Sequence, residues 1–569
     1  MYEANGLKKV VEEFDRKKEE RAVWDTHFQI LGEYISQNKQ NFESSPQAGE
    51  FLADELFDST GTFAAHSAAS SLLGMLWSGS ASRSIEIAPP DDLEMNSELE
   101  VFYKEKMTNR TVRAFDDPRA NLMVTLDEYM LDQMIFGTSG IGLEEGDKSK
   151  LMFSAAGVKQ MYITEGKGGR ISEVWLCYDW TIDRIVAEYG EDAISEKLRK
   201  LLKAGKGNEK HKVLNVIRPR SVPKAEKGKL SMPFESLHIE HDTKHLLGEE
   251  GFEELPISVA RFRKLTYEVY GRSSGMMALA DIREINALRE SVIVATEKNL
   301  DPPQGVYDDG VLGGGVIDTS SGSLTVFRDT NNGQPPMFPL VTVGSISDAI
   351  SRIDELKNSI AQHFNLDRLL DFNNEQEMTF GEAQIRDQIR TASLASLYAR
   401  QVGEALTPTI ERGVNMLFRM GEFGVVKDSE EEADLIAQGI EPEYVPDVIA
   451  ERLKAGKDIY EVRYKTKAAQ SAKAESFQAI TELVQFSAEL MQVDQSIVNR
   501  VNFHEALKEM ADIRALPPNI IRQDDAVDAL TEQQNEQVKA QEEMAQAEQL
   551  SGIAKNMAGA QKDARNNEG

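Results

Sequence analysis

Residues 273–307 read SSGMMALADIREINALRESVIVATEKNLDPPQGVY. Leu279, Ile282, Ile285, Leu288, Val292 and Ala295 recur every three or four positions, so a helix from Ser273 to about Asn299 carries them on one face. At ~1.5 Å per residue that rod is roughly 40 Å long. Asp301-Pro302-Pro303 ends it, because proline has no amide to donate and its ring clashes with the preceding turn. Downstream lies a non-helical insert, Gln304 to Thr342. It holds Gly310, Gly313, Gly314, Gly315, Gly322, Gly333 and a second pair, Pro335-Pro336. Gly305-Val306-Tyr307 and Ser323 to Phe327 are its β-prone runs. A second helix is expected from near Ser345, with Ile346, Ile350, Ile353, Ile360 and Phe364 on one face. After a polar loop, Thr379-Phe380-Gly381-Glu382 reads as a capping box, in which hydroxyl and carboxylate each satisfy an orphan amide. The third helix runs towards Gly421, and Pro408 within it predicts a kink.

Two rods joined by a compact β insert make a long hairpin with a small head. A lone hairpin striped on both rods cannot bury all of its apolar surface. Side-by-side packing with copies of itself is the simplest remedy.

Three motifs, Tyr270-Gly271-Arg272-Ser273, Pro302-Pro303 after the following helix, and Thr379-x-x-Glu382-Ala383-x-x-x-Arg386, stand here in a specific order and spacing. Together they resemble the portal, or head-to-tail connector, proteins of short-tailed, T7-like bacteriophages. Trp24, Tyr34, Phe136 to Gly140 and Arg218-Pro219-Arg220 match further elements of that family; Ser274 departs from its usual proline. The resemblance implies a mainly α fold with β insertions (α+β), assembled as a dodecameric ring at one capsid vertex. It implies a wing at 1–270, a first stem helix at 271–300, a clip at 301–343 and a second stem helix at 344–364. A tunnel loop at 365–378, a long kinked wing helix at 379–425, a crown at 426–530 and a C-terminal helix or barrel with a disordered tail at 531–569 complete it. In that frame Asp367, Arg368, Asp371, Asn373, Asn374 and Glu375 would face the DNA channel. Pro302, Pro303, Tyr307, Phe327, Arg328, Pro335 and Pro336 would form the clip surface. Arg272, Ile282, Ile285, Ile353 and Ile360 would build the stem, and Thr379 and Glu382 the helix cap. The implied partners are further copies of the chain, the terminase large subunit, a tail adaptor, the major capsid and scaffolding proteins, internal core proteins, and double-stranded DNA in transit. The implied location is the virion's portal vertex, after synthesis in the host bacterial cytoplasm.

Composition restricts the alternatives. The chain has 569 residues, 41% of them hydrophobic, with no apolar run near the ~20 residues of a membrane span. One cysteine, Cys177, excludes an intramolecular disulfide and a cysteine-cluster metal site. With 64 basic and 95 acidic residues the net charge is −31. Proteins that hold DNA normally carry the opposite sign, since phosphate neutralisation supplies most of their affinity. An acidic wall repels phosphate and suits a duplex that passes without being held. Asp116-Asp117, Asp308-Asp309 and Asp524-Asp525 invite a catalytic reading, but no histidine, nucleophile or phosphate loop joins them in a recognisable set. The expectation is therefore no enzyme and no cofactor. A capsid-interior core or scaffold-like protein is the other structural class that the Gln/Glu-rich C-terminal region would tolerate.

Elsewhere the readings are structural. Residues 7–38 form a charged helix with Val10, Phe14, Val23, Trp24, Phe28, Ile30 and Leu31 as apolar members. Thr62 to Trp77 is a small-residue helix suited to close packing. Residues 94–136 are mostly helical, with Leu122, Leu126, Tyr129, Met130 and Met134 on one side. Met161 to Tyr178 is a hairpin about Gly166-Lys167-Gly168-Gly169. The basic stretch Lys197 to Lys212 reads as a solvated helix face and loop, with contact to packaged nucleic acid as the lesser alternative. His238, His241 and His245 lie in a β or loop segment whose spacing does not bring three rings together, so no metal site is expected.

Overall fold

The computed structural model describes residues 4–36, 56–93, 95–221, 228–307, 317–327, 337–342, 344, 346–366, 396–427, 432, 436, 441–465, 474–490, 501–503, 506–507 and 509–510. Two compact units result, residues 1–472 and 473–569. The long helices are α1 (Ala4–Tyr34), α2 (Thr60–Leu76), α3 (Leu122–Phe136), α4 (Ser274–Leu300), α5 (Ser347–His363), α6 (Thr407–Arg419) and α7 (Ala474–Leu490). The strands are β1 (Ile85–Ala88), β2 (Thr138–Glu145), β3 (Leu151–Gly157), β4 (Met161–Glu165), β5 (Ile171–Thr181), β6 (Lys210–Pro219), β7 (Phe234–Glu240) and β8 (His245–Phe252). They continue with β9 (Ile257–Arg261), β10 (Gln304–Tyr307), β11 (Leu324–Phe327), β12 (Met337–Pro339) and β13 (Glu461–Tyr464).

In the first unit, strands β4 to β8 pair in sequence order as a five-stranded antiparallel sheet. Alternation puts Leu214 and Val216 on one face and Val213 on the other, as the two-residue period requires. Leu7, Val10, Val11 and Phe14, spaced as one face of α1, cover the first face. Phe14 meets Tyr162 edge-on at 4.9 Å. Short helices Ile182–Tyr189 and Glu196–Lys203 cover the second through Ile182, Ile185 and Leu198. Arg21 is buried with its Nη1 donating to the carbonyls of Val158 and Met161, each at 2.8 Å. Val23, two residues on, is 71% exposed, so it does not share the apolar face of its neighbours.

The larger core joins α2, α3, α4, α5 and α6 to a three-stranded sheet of order β3-β2-β9. Ala64, Ala65, Ala68 and Ala69 are buried where α2 approaches α3. Residues 94–136 do not form one helix. Pro118 opens a short 3-10 turn after Asp117, and Asn121 (φ 64) restarts the chain as α3. Leu122, Leu126, Tyr129, Met130 and Met134 of α3 are all buried. Gly137 (φ 78) ends α3 in the left-handed conformation that favours glycine and hands the chain to β2.

One expectation is corrected. Ile350 was expected on the apolar face of α5 but is 51% exposed, whereas Ile353, Leu356, Ile360 and Phe364 are buried. The stripe leans towards Leu356, which the period of 3.6 also allows. At Pro408 the chain has a π turn over Val402–Leu406, and the proline occupies the first turn of α6. The wider turn accommodates a ring and a missing amide that a continuous α-helix would not.

In the second unit, α7 is the long described element. Thr481 and Ser487 turn their hydroxyls back onto the carbonyls of Phe477 and Leu483 at 2.7 and 2.6 Å.

Candidate functional site

The segment Tyr270-Gly271-Arg272-Ser273 locks the start of α4 onto α3 and β2. Arg263 and Arg272 exchange backbone hydrogen bonds of 3.2 and 2.6 Å, closing the intervening loop. The Gly271 amide donates to Thr138 Oγ1 at 2.8 Å. Ser273 Oγ accepts from the Met276 amide at 2.9 Å, which caps α4, and donates to the Ile135 carbonyl at 2.8 Å. Arg272 Nε bonds Glu268 Oε2 at 2.8 Å, with Nη2 on Oε1, and its guanidinium lies 4.7 Å from the Trp24 ring centre. The Arg272 hydrogen bond holds the Glu268 carboxyl below its usual range. Burial pushes the Tyr270 phenol up.

Beyond this join, α4 and α5 pack through Ile282, Ile285, Ile353 and Ile360, all buried. Polar contacts flank that seam. Arg352 Nε and Nη2 reach the Glu284 carboxylate at 2.9 and 3.3 Å, and its Nη1 reaches Glu355 at 3.1 Å. Ser359 Oγ donates to Asp281 Oδ2 at 2.6 Å. These groups are solvent-screened, so they set register more than stability. Ile293, Val294 and Leu300, towards the far end of α4, are 43%, 42% and 82% exposed.

At that end stands a three-stranded sheet. β10 pairs with β11 in parallel and with β12 in antiparallel fashion. Tyr307, Phe327 and Phe338 cluster, with Phe338 at 5.0 Å from Tyr307 and 5.8 Å from Phe327. Gly305 leaves room for the Phe338 ring, which a Cβ would approach to 2.5 Å. Ser321 Oγ donates to the carbonyls of Glu297 and Asp301, both at 2.9 Å, so the insert caps the end of its own helix. Pro303 is buried and its carbonyl accepts from Leu340 at 2.8 Å, while Pro302 is half-buried. Arg328, Pro335 and Pro336 lie outside the described residues, as do Asp367, Arg368, Asp371, Asn373, Asn374, Glu375, Thr379 and Glu382.

Two buried arginines tie the π turn and α6 to this framework. Arg261 Nε and Nη2 hold Glu404 at 3.1 and 2.9 Å, Nη2 donates to the Gly169 carbonyl at 2.7 Å, and Nη1 pairs with Glu165. Arg412 donates to the Leu143 and Glu254 carbonyls, each at 3.0 Å. Neither arginine was singled out from the sequence, because their partners lie far away in the chain. The approach of Gly271 to Gly137 was missed for the same reason; the one local signal was a glycine in second place in each motif.

The three histidines take separate partners. His238 Nδ1 meets the Tyr189 hydroxyl at 2.7 Å, His241 Nε2 meets Asp15 at 2.9 Å, and His245 Nε2 meets the Ala193 carbonyl at 3.0 Å. Among the described residues no group of three or more His, Cys, Asp or Glu side chains is arranged to hold a metal ion. No described helix is long and apolar enough to cross a membrane.

Compared with known proteins, residues 7–521 match the model of a family described as bacteriophage head to tail connecting protein. The chain is 20% identical over 559 residues to the portal protein of Salmonella phage epsilon15, covering 96% of this chain and 95% of that one. It is 21% identical over 424 residues to the probable portal protein of Bordetella phage BPP-1, covering 72% and 74%. Among solved structures, a chain from the neck of an empty gene transfer agent particle, computed with C6 symmetry, aligns at a TM-score of 0.29 and 11% identity, over 68% of this chain and 91% of that one. A chain from the virion of a native gene transfer agent particle aligns at 0.25 and 12%, over 66% and 94%.

Proposed function

The chain belongs to the bacteriophage head-to-tail connecting proteins, and from that membership we propose that this portal works as a closed dodecameric ring at one capsid vertex. The ring is the channel through which double-stranded DNA enters the head and later leaves it. The observation that carries this reading is the pair α4–α5. Its inner seam is buried within one copy, yet Ile293, Val294, Leu300 and Ile350 remain on outer faces that one copy does not cover. A head-to-tail ring covers two different faces of every copy and leaves none open.

In this reading α4 and α5 are the stem, residues 301–343 are the clip, and strands β1 to β9 with α1 to α3 and α6 are the wing. Residues 365–378 face the duplex, with Arg368 as the single strong phosphate holder among acids and amides. Residues 426–530 form the crown, and 531–569 continue it as a C-terminal helix or barrel. The clip docks the terminase large subunit during packaging and a tail adaptor afterwards; the wing meets capsid, scaffolding and internal core proteins. The net charge of −31 supports a bore that repels phosphate rather than holding it.

Native mass measurement and negative-stain imaging, with chelator present throughout, test the proposal. The expected result is a discrete ring with a central hole and a mass near that of a dodecamer. A monomer, an open filament, or dissociation on chelation contradicts it.

A further inference from the structure

Leu265 and Tyr267 are 56% and 98% exposed, yet the loop that carries them is tied down at both ends. The backbone exchange of Arg263 with Arg272 closes it. Lys264 pairs with Glu165 at 2.5 Å, Glu268 pairs with Arg272, and the Glu268 amide returns to the Leu265 carbonyl at 3.1 Å. A fixed loop loses little freedom on binding, and tyrosine is among the residues that dominate interface energies. Beside the tip, Arg263 is exposed and makes no ion pair among the described residues.

Further along α4 is an open cleft of about 590 Å³ between Tyr34, Phe57, Arg283, Glu284, Asn286, Ala287 and Glu290, bordered through Glu284 by Arg352 of α5. Two aromatic rings and an alanine stand in it among the polar groups of Arg283, Glu284, Asn286 and Glu290. Glu290 at its rim is exposed and, like Arg263, has no ion pair among the described residues. The loop ends at Ser273, and Ala287 lies 14 × 1.5, or ~21 Å, further along the helix. The tip therefore does not fill the cleft of its own copy.

We propose that the Leu265–Tyr267 tip of one copy seats in the Tyr34–Phe57–Ala287 cleft of the next, with Arg263 facing Glu290 across the contact. This rests on the ring reading and specifies which surfaces close the ring. The occupant is a second copy because knob and cleft are two different surfaces of the same chain, and their exposed Arg263 and Glu290 are opposite in charge. That is what a cyclic head-to-tail interface requires.

The test uses the full chain in a Cys177→Ala background carrying Tyr267→Cys and Ala287→Cys together, treated with a short bismaleimide. A ladder of covalent oligomers on a denaturing gel is expected, whereas mixing the two single variants should stop at covalent dimers. Arg263→Glu or Glu290→Arg alone should weaken ring assembly at least about tenfold, and the double reversal should restore it. Intact rings that give no ladder and ignore the charge reversals would overturn the contact while leaving the ring standing. Protection of the A287C thiol in such rings would assign the cleft to residues 37–55 of the same copy. A monomeric unmodified chain would overturn ring and contact together.

Discussion

Gly271 and Gly137 meet backbone to backbone: a Cβ on Gly271 would lie 2.1 Å from the Gly137 carbonyl oxygen, and one on Gly137 would lie 2.6 Å from the Gly271 carbonyl oxygen. This contact fixes where α4 leaves the sheet, so it governs the direction of the whole α4–α5 hairpin.

Gly271→Ala is therefore expected to cost about 2–3 kcal/mol, the upper part of the overpacking range, because backbone rather than a flexible side chain must move. Gly137→Ala adds the left-handed φ of 78 to a similar clash and should cost at least as much. Denaturant midpoints of the two variants check this. By contrast Gly344→Ala, with open space around it, should change little.

Arg261 gives a second prediction. Its side chain is 1% exposed and pairs with Glu404 and Glu165. Arg261→Met takes the buried partner from two carboxylates that keep only the less buried Lys264 and Arg400, and should cost about 3 kcal/mol, the lower end for breaking a buried pair. Glu404→Gln keeps one acceptor oxygen for the guanidinium and leaves Glu165 in place, so about 1–3 kcal/mol is expected. Equal losses for the two variants in chemical denaturation would show that the π turn is held by packing rather than by this arginine.

Much of the hairpin was legible in the sequence because its signals are local. The Pro302-Pro303 pair stops α4, and β-prone runs flank the insert glycines. Periodicity set the buried positions Ile282, Ile285, Ile353 and Ile360 but misjudged Ile350, since a stripe one residue wide does not say on which side the neighbouring element lies. The roles of Gly137, Arg261, Glu404 and Arg412 were not legible, because each depends on a partner brought close only by the fold. His238, His241 and His245 show the converse: close spacing in the chain, and separate surroundings once the strands form.

His238 also predicts a pH dependence. Burial lowers its pKa from the ordinary value near 6.5, with the Glu250 charge opposing weakly. The folded protein thus binds this proton less readily than the unfolded chain does. The corresponding stability is fully present above about pH 6.5 and is lost as pH falls through that value towards the folded pKa. His238→Gln removes this term. The stability difference between the natural chain and the variant should therefore shrink between pH 7.5 and pH 5, which thermal melts at the two values would register.

Cys177 offers a chemical readout of the same sheet. Burial pushes its thiol up to about 11, from an ordinary value of 9.0. At pH 8 the thiolate fraction then falls about hundredfold, and the thiolate is the species that reacts. Alkylation of the folded chain should be slower than that of the unfolded chain by at least this factor. A labelling rate near the unfolded one would mean that β5 opens locally.

The last prediction concerns the proposed clip. The sheet β10–β12 makes its hydrogen bonds internally, and its aromatic residues Tyr307, Phe327 and Phe338 pack on one another. None of the three belongs to the apolar clusters that hold the sheets and helices of the first unit. The described strands of the insert thus pack on one another rather than on the cores beside them. Replacing residues 304–340 with a short linker should leave a soluble protein whose melting temperature stays within a few degrees of the natural value. The same replacement should abolish docking of the packaging motor and with it DNA entry into the head. Gly305→Val is the milder probe: its side chain meets the Phe338 ring, where a Cβ already comes to 2.5 Å, and should disturb the sheet while sparing the rest. In both variants the measurements are melting temperature, motor binding and DNA packaged per head. Normal packaging by the linker variant would remove residues 304–340 from the docking surface; loss of folding instead would show that the insert supports the α4–α5 seam.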